Sequence, residues 1–210
     1  MVAFMKGFSI NLAVFLALSV AFSSFSGCGG TNPGSNGNTQ NPANGNPGTK
    51  PEIAKDSVYP PLNSNVADGE MELMDGTISR ISERKGKVIL LNLWGIWCGP
   101  CRAEMPHLVQ LQEKYREKGF QVIGLNVGDD DGMPEEISKI KAFGDKTGLN
   151  YELARAPREM KSQIFRIAGF DGVPLSLLVD RDGHLRAVLR GGGPASIRQM
   201  IETVDKAMAD

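Results

Sequence analysis

The stretch VILLNLWGIWCGPC, residues 88–101, decides the fold of this chain. Its first seven residues are almost continuously apolar, as in a central strand that is covered on both faces. A Cys-Gly-Pro-Cys motif follows at once, and after it the apolar residues recur at helical spacing. The stretch therefore predicts a buried strand that leads into a helix, with two cysteines at the helix N-terminus.

Cys98 and Cys101 have the spacing of a redox-active pair. At a helix N-terminus the first sulfur faces free backbone N–H groups and the positive end of the helix dipole, so the pKa of Cys98 should lie below the ordinary thiol value of about 8.5. Two intervening residues keep the second sulfur close enough to close a disulfide ring. The motif therefore predicts that Cys98 is the nucleophile and that Cys101 resolves the mixed disulfide.

A zinc site is the main alternative for two cysteines at this spacing, and it needs further ligands. The chain has one other cysteine, Cys28, and two histidines, His107 and His184, and none is at the spacing of a zinc finger. We interpret both histidines as ordinary surface residues. Two buried structural thiols are the second alternative, which the intervening Gly-Pro and the strand-to-helix junction disfavour. We therefore expect neither a metal nor a cofactor.

Length and composition allow one compact domain with appendages. The chain has 210 residues, of which 41% are hydrophobic, and 23 basic against 24 acidic residues give a net charge of -1. The sequence contains no basic block, so it carries no electrostatic signal for binding nucleic acid. We predict that the folded part spans residues 57–210.

Residues 1–27 have the pattern of a targeting segment. Lys6 supplies a charged start, and residues 10–22 form an apolar stretch that is short for a membrane span. The segment ends in Phe-Ser-Gly-Cys, which resembles the lipobox of bacterial lipoproteins, although Phe25 stands where leucine is usual. The resemblance implies a cleaved signal peptide and lipidation of Cys28, and the alternative is anchoring by the uncleaved apolar stretch. Either outcome places the domain outside the cytoplasm.

Residues 28–56 are predicted to form a flexible tether. They consist mainly of Gly, Asn, Pro, Thr and Ser, with almost nothing apolar, so burial cannot offset the entropy of ordering them. The cysteine count fits this arrangement, since one sulfur would carry the lipid and the other two would form a pair.

The rest of the chain alternates strand and helix patterns, which predicts an α/β fold with a central mixed sheet flanked by helices. An N-terminal hairpin turns at residues 75–76, and a second Asp-Gly turn at residues 182–183 joins two antiparallel strands. Strands are predicted at residues 70–74, 77–81, 88–94, 120–127, 151–153, 175–180 and 184–190. Helices are predicted directly after Cys98 and at residues 134–147, 158–168 and 194–209.

Four features carry a resemblance to a known family: Trp97–Cys101, Gly172–Pro174 before a strand, Val179–Gly183, and an extra helix and strand between Asp130 and Leu153. Over about residues 68–210 the chain resembles the thioredoxin superfamily, and within it the membrane-tethered TlpA, ResA and CcmG-like thiol-disulfide oxidoreductases. The resemblance implies a thioredoxin-like fold with an N-terminal hairpin and a helix-strand insertion.

The resemblance also implies a substrate groove beside the disulfide. Pro174 would be a cis-proline that faces the two sulfurs, and the backbone of Val173 and Pro174 would pair with the substrate chain. Trp97 would shield the disulfide and contact the substrate. The alternative for Pro174 is a trans proline that opens an edge strand.

Glu104 lies one helical turn after Cys101 and matches an acidic residue of ResA-like proteins. The resemblance implies that its carboxylate exchanges protons with Cys101 and raises the pKa of that thiol. The alternative is a solvated glutamate in the first turn of the helix. Asn92 stands where thioredoxin has a buried aspartate, and an amide cannot take up a proton, so that role is absent or has moved to Glu104.

Together these features predict a lipid-anchored, extracytoplasmic thiol-disulfide oxidoreductase that reduces protein disulfides through Cys98 and Cys101. By the family resemblance, its substrates would include disulfides of apocytochrome c during cytochrome c maturation, and its electrons would come from a membrane thiol transporter. Two alternatives remain open. One is a copper-binding thioredoxin-like metallochaperone that uses the same sulfurs, and the other is a non-catalytic binding module.

Overall fold

The computed structural model describes residues 58–210 of the chain. Its strands are β1 (Met71–Leu73), β2 (Ile78–Ser79), β3 (Val88–Trp94), β4 (Phe120–Asn126), β5 (Glu152–Arg155), β6 (Leu175–Val179) and β7 (Leu185–Arg190). Its α-helices are α1 (Ser64–Ala67), α2 (Gly99–Tyr115), α3 (Ile137–Thr147), α4 (Arg158–Ala168) and α5 (Pro194–Ala209). Short 3-10 turns lie at Ile81–Arg84 and Arg116–Lys118.

The strands form a seven-stranded mixed sheet in the order β2-β1-β5-β4-β3-β6-β7. β4 pairs in parallel with both β3 and β5, whereas the other pairs are antiparallel. Helix α2 is the crossover between the parallel strands β3 and β4. The hairpin β1-β2 and the insertion α3-β5 extend the sheet on the side of β4. The predicted fold, a central mixed sheet with an N-terminal hairpin and a helix-strand insertion, is therefore confirmed.

Strand β3 is buried along its whole length, and its side chains alternate between two faces of the sheet. Leu90 and Trp94 belong to a core cluster that includes residues of α2, α3 and α5, and we call this side the α2 face. Leu91 and Leu93 belong to a second cluster that includes residues of α1 and α4, and we call this side the α4 face. Because helices cover both faces, the strand can be almost continuously apolar.

Most predicted elements are present, some with shifted ends. Helices α4 and α5 have their predicted bounds, whereas the helix predicted from residue 134 begins at Ile137. The second hairpin strand stops at Ser79 because a 3-10 turn begins at Ile81. Helix α1 is an addition to the predicted elements.

The structure contradicts the prediction that His184 is a surface residue. Only 3% of its surface is exposed, because the segment before α1 covers the β6-β7 turn. Pro61 forms a β-bridge with His184, and the backbone N–H of Leu62 donates to the carbonyl of Gly183 at 2.9 Å. The other histidine, His107, is half-buried on α2. The segment at residues 60–62 thus contacts the end of β6 that lies away from the cysteine motif.

None of the helices within residues 58–210 combines the length and apolar character needed to cross a membrane. The predicted signal peptide (1–27), the tether (28–56) and Cys28 lie outside the described residues. Their assignments, and the domain boundary at residue 57, therefore stay predictions.

Candidate active site

The two cysteines lie where β3 leads into α2 and form a disulfide bond in this structure. Cys98 is the N-cap residue of α2, and its Sγ accepts the backbone N–H of Cys101 at 3.2 Å. An N-cap position favours negative charge, because unpaired N–H groups and the positive end of the helix dipole point at it. In the reduced protein this position favours the thiolate of Cys98.

The loop before β6 faces the disulfide. The Val173–Pro174 peptide bond is cis, as the family resemblance implies, so the alternative of a trans proline is wrong. The carbonyl oxygen of Val173 lies 3.7 Å from Cys98 Sγ. The Pro174 carbonyl accepts the backbone N–H of Gly191 at 2.9 Å, which ties this loop to the segment before α5. The structure thus places Val173 and Pro174 beside Cys98, and their contact with substrate stays a prediction.

Trp97 offers an apolar surface next to the disulfide, and 46% of its surface is exposed. Its indole Nε1–H donates to the carbonyl of Gly128 at 3.0 Å. The ring packs on Gly95, where an added Cβ would lie 2.6 Å from Nε1. A side chain at position 95 would therefore displace the indole. The position of Trp97 fits its predicted contact with substrate.

Glu104 lies on the buried side of α2, and 4% of its surface is exposed. The alternative of a solvated glutamate is therefore wrong. Burial raises the pKa of its carboxyl to about 7, and the hydrogen bond from Asn92 partly opposes this rise. Asn92 Nδ2 donates to Glu104 Oε1 at 2.7 Å. A buried carboxyl that titrates near neutral pH, one helical turn from Cys101, can take up or release a proton there.

Two residues join this site without a sequence prediction. Ser176, the one polar residue of β6, is buried, and its Oγ accepts a hydrogen bond from Asn92 Nδ2 at 3.0 Å. Gly192 lies so close to the disulfide loop that an added Cβ would be 2.8 Å from Pro100 Cβ and 3.2 Å from Pro174 Cγ. Their signals in the sequence are a serine within an apolar strand and a run of three glycines before α5.

The described residues also include a group of side chains that could ligate a metal, Asp180, Asp182 and His184 at the β6-β7 turn. Asp180 Oδ1 already accepts the backbone N–H groups of Asp182 and His184, at 3.0 and 2.8 Å. The group lies at the end of β6 opposite Pro174. It is therefore separate from the cysteine site.

A family model described as the AhpC/TSA family matches residues 62–188, which is more than half of the chain. The chain belongs to the AhpC/TSA family. Among its curated relatives, the thiol-disulfide oxidoreductase ResA of Geobacillus thermodenitrificans is 26% identical over 144 residues, which cover 68% of this chain and 78% of that protein. ResA of Bacillus anthracis is 34% identical over 112 residues, which cover 53% of this chain and 60% of that protein.

Solved structures share the thioredoxin-like fold of this chain. A thiol:disulfide interchange protein of the thioredoxin family from Chlorobium tepidum is similar with a TM-score of 0.59 and 26% identity, over 73% of this chain and 99% of that one. The thioredoxin domain of a thiol-disulfide oxidoreductase from Bacteroides vulgatus shares the fold, with a TM-score of 0.53 and 20% identity, over 72% of this chain and 97% of that one. The predicted resemblance to ResA-like proteins of the thioredoxin superfamily is confirmed, and this family member is a thiol-disulfide oxidoreductase.

Proposed function

We propose that this oxidoreductase reduces disulfides of other proteins outside the cytoplasm, through the Cys98–Cys101 dithiol. The difference between the two sulfurs carries the proposal. Cys98 is the N-cap of α2, follows the half-exposed Trp97 in the chain and faces the Val173 carbonyl with 3% of its surface exposed, whereas Cys101 has no exposed surface. One sulfur is therefore placed to attack an incoming disulfide, and the other can act only within the molecule.

In the first step the Cys98 thiolate attacks one sulfur of the substrate disulfide. The substrate S–S bond breaks, and a mixed disulfide joins Cys98 to the attacked sulfur. The other substrate sulfur leaves as a thiolate and takes a proton from water. The helix N-terminus favours this step because it stabilises the attacking thiolate at neutral pH.

In the second step Cys101 gives its proton to the Glu104 carboxylate, and its thiolate attacks Cys98 Sγ. The mixed disulfide breaks, the Cys98–Cys101 bond forms, and the second substrate sulfur leaves as a thiolate that takes up a proton. Two electrons have then passed from the dithiol to the substrate. A pKa of about 7 suits Glu104 to this transfer, because it can accept and return the proton near neutral pH.

The substrate would lie in extended form along the Val173–Pro174 backbone. This loop faces Cys98, and the half-exposed Trp97 directly precedes Cys98 in the chain, so a polypeptide could pair with the loop while an apolar side chain contacts the indole. Recognition through the backbone suits an enzyme that acts on several proteins, since it reads chain shape more than sequence.

The location proposed for this enzyme is the outer side of a bacterial membrane, with Cys28 lipidated and residues 28–56 as the tether. The entry of the chain into the domain supports this arrangement. Residues 60–62 contact the β6-β7 turn, at the end of β6 opposite the cis-proline loop. An anchored domain would then have its disulfide directed away from the attachment point. Apocytochrome c is one proposed substrate, and a membrane thiol transporter is the proposed source of electrons.

Reduction of insulin disulfides by the pre-reduced protein tests the proposal. We expect turnover by the natural protein in the presence of a dithiol reductant, no turnover by Cys98→Ser, and accumulation of a mixed disulfide on Cys98 by Cys101→Ser. Background turnover by the natural protein, with Cys98 verified as a free thiol, would contradict the proposal. A reduction potential near about -120 mV, that of a strong oxidant, would reverse the proposed direction of electron flow.

Replacing Cys28 tests the proposed anchor separately. We expect that Cys28→Ser moves the protein from the membrane fraction to the soluble fraction and abolishes incorporation of a labelled fatty acid. A variant that stays in the membrane fraction without label would favour anchoring by the uncleaved apolar stretch at residues 10–22.

A further inference from the structure

Glu104 is held by a short chain of buried hydrogen bonds that starts on β6. The two N–H groups of the Asn92 side chain have separate acceptors, Glu104 Oε1 at 2.7 Å and Ser176 Oγ at 3.0 Å. Asn92 and Ser176 are directly opposite each other in the β3-β6 pair, so both point to the α2 face beneath Glu104. All three residues are buried.

Each of these buried hydrogen bonds satisfies a polar group that would otherwise have no partner in the core. A carboxyl group buried in an apolar cluster needs a donor, and an amide placed there as donor brings a second N–H that needs an acceptor of its own. Ser176 supplies that acceptor within β6, whose other four residues are all apolar. Ser176 thus fixes the orientation of the Asn92 amide, and the amide in turn fixes the orientation of the Glu104 carboxyl group.

We propose that Asn92 and Ser176 are positioning residues that hold Glu104 beside Cys101 and set the pH at which Glu104 exchanges its proton. The inference rests on the proposed role of Glu104 in the second step of the reaction. Neither residue touches the sulfurs in the proposed mechanism, so both act through Glu104.

The direction of the effect follows from the two causes that act on Glu104. Burial raises the pKa of its carboxyl, and the hydrogen bond from Asn92 lowers it because the N–H stabilises the charged form. Tyr151, before β5, is a titratable group that interacts with Glu104, and the pKa of Tyr151 is raised by burial and by the charge of Glu104. Cys101, one turn earlier on α2, is bonded to Cys98 and does not titrate in the oxidised protein. Loss of the Asn92 bond should therefore raise the pKa of Glu104.

The test is a titration of the Glu104 carboxyl by NMR in the oxidised full-length protein, together with the pH profile of insulin reduction. In both curves we look for the inflection that belongs to Glu104. We expect Asn92→Leu to move this inflection upward by about 1 to 2 pH units, because a hydrogen bond to a charged group is lost. Ser176→Ala should move it in the same direction by about half as much, and Ser176→Thr should restore it because it keeps the hydroxyl. Glu104→Gln should remove the inflection.

Two control variants separate positioning from general weakening of the fold. Leu177→Ala changes the next residue of β6, on the α4 face, and should lower stability without moving the inflection. Ser138→Ala removes a hydroxyl from the exposed side of α3 and should change neither the stability nor the inflection. If Asn92→Leu does not fold, the Ser176→Ala and Ser176→Thr pair decides the matter alone.

Three results are distinguishable. An inflection that stays in place in Ser176→Ala and in folded Asn92→Leu, but disappears in Glu104→Gln, would overturn the inference and leave the role of Glu104 intact. An inflection that survives in Glu104→Gln would overturn both that role and the inference. If insulin reduction stays at background while the NMR inflection of Glu104 shifts as expected, the proposed reductase function would be overturned and the positioning role supported.

Discussion

The two faces of the central sheet are equally buried, but they differ in chemistry. On the α4 face, β3 presents Leu91 and Leu93 to a cluster of apolar side chains. Asn92, which lies between these two leucines in the sequence, points to the α2 face. There it is hydrogen-bonded to Glu104 and Ser176. Since both faces are shielded from water, burial alone does not explain why only the α2 face carries this hydrogen-bonded polar group in its core.

The difference shows where this fold tolerates a destabilising group. A polar side chain in the core needs a full set of partners, and a carboxyl with a raised pKa opposes folding at neutral pH. The α4 face avoids both demands and serves packing. The α2 face meets them at Glu104, one helical turn from Cys101, where a titrating group is useful. Substitutions on the two faces should therefore separate chemistry from stability.

The largest expected effect lies at the active-site end of the α2 face. Cys98→Ser should lower the rate of insulin reduction by at least about a thousandfold, because the attacking thiolate is lost. Its free energy of unfolding, measured by urea denaturation of the reduced proteins, should stay near that of the natural protein. Residual turnover within tenfold of the natural rate would mean that another group performs the exchange.

A packing substitution on the α4 face should have the opposite signature. Leu91→Ala should lower the free energy of unfolding by about 2–5 kcal/mol, since it leaves a cavity among fully buried side chains. The rate of insulin reduction per folded molecule should not change. A large loss of rate in the folded fraction would show that the two faces are not independent.

The pH dependence of stability should come from the α2 face. Glu104 has a pKa of about 7 in the folded protein against an ordinary value of 4.5, so between these values the native state binds a proton that the unfolded state does not. Its contribution to the free energy of unfolding is fully present below pH 4.5 and is lost as the pH rises through 7, by about 3 kcal/mol.

Urea denaturation of the oxidised protein across this range would measure the loss. In Glu104→Gln the decline should flatten, because the amide does not titrate. An unchanged decline in that variant would assign the pH dependence to other groups.

The smallest expected effect concerns the exposed side of the site. Trp97→Ala should raise the KM for insulin by about fivefold, because an exposed indole beside the disulfide contributes about 1 kcal/mol to binding. The value of kcat should change less. Val58→Ala, which removes an exposed side chain near the start of the described residues, is the matched control and should change neither constant. An equal KM in both variants would exclude the indole from the substrate contact.

The sequence predicts the elements whose signals are local. The buried strand β3, the cysteine motif at the start of α2, and the bounds of α4 and α5 follow from apolar spacing and from residues that favour helix ends. The family resemblance adds the cis-proline and its position opposite the cysteines, which no local pattern implies.

The remaining features depend on contacts between distant parts of the chain. His184 is buried because Pro61 and Leu62, more than a hundred residues earlier, cover its turn. The helical spacing of α2 is compatible with either a solvated or a buried Glu104. In the structure Glu104 is buried and accepts a hydrogen bond from the amide of Asn92 on β3. Ser176 gains its role only through its register with Asn92. None of these pairings leaves a periodic signal in a single sequence.

The proposed mechanism requires that Cys98 is a reactive thiol with a low pKa and that Cys101, whose surface is fully buried, reacts only within the molecule. The most direct measurement is the rate of alkylation of each cysteine in the reduced protein as a function of pH, with the two sites read separately by mass spectrometry. We predict that Cys98 reacts faster, with an inflection below about 8.5, and that Cys101 reacts slowly with a higher inflection. Two thiols that react at the same rate, with a common inflection near about 8.5, would contradict it.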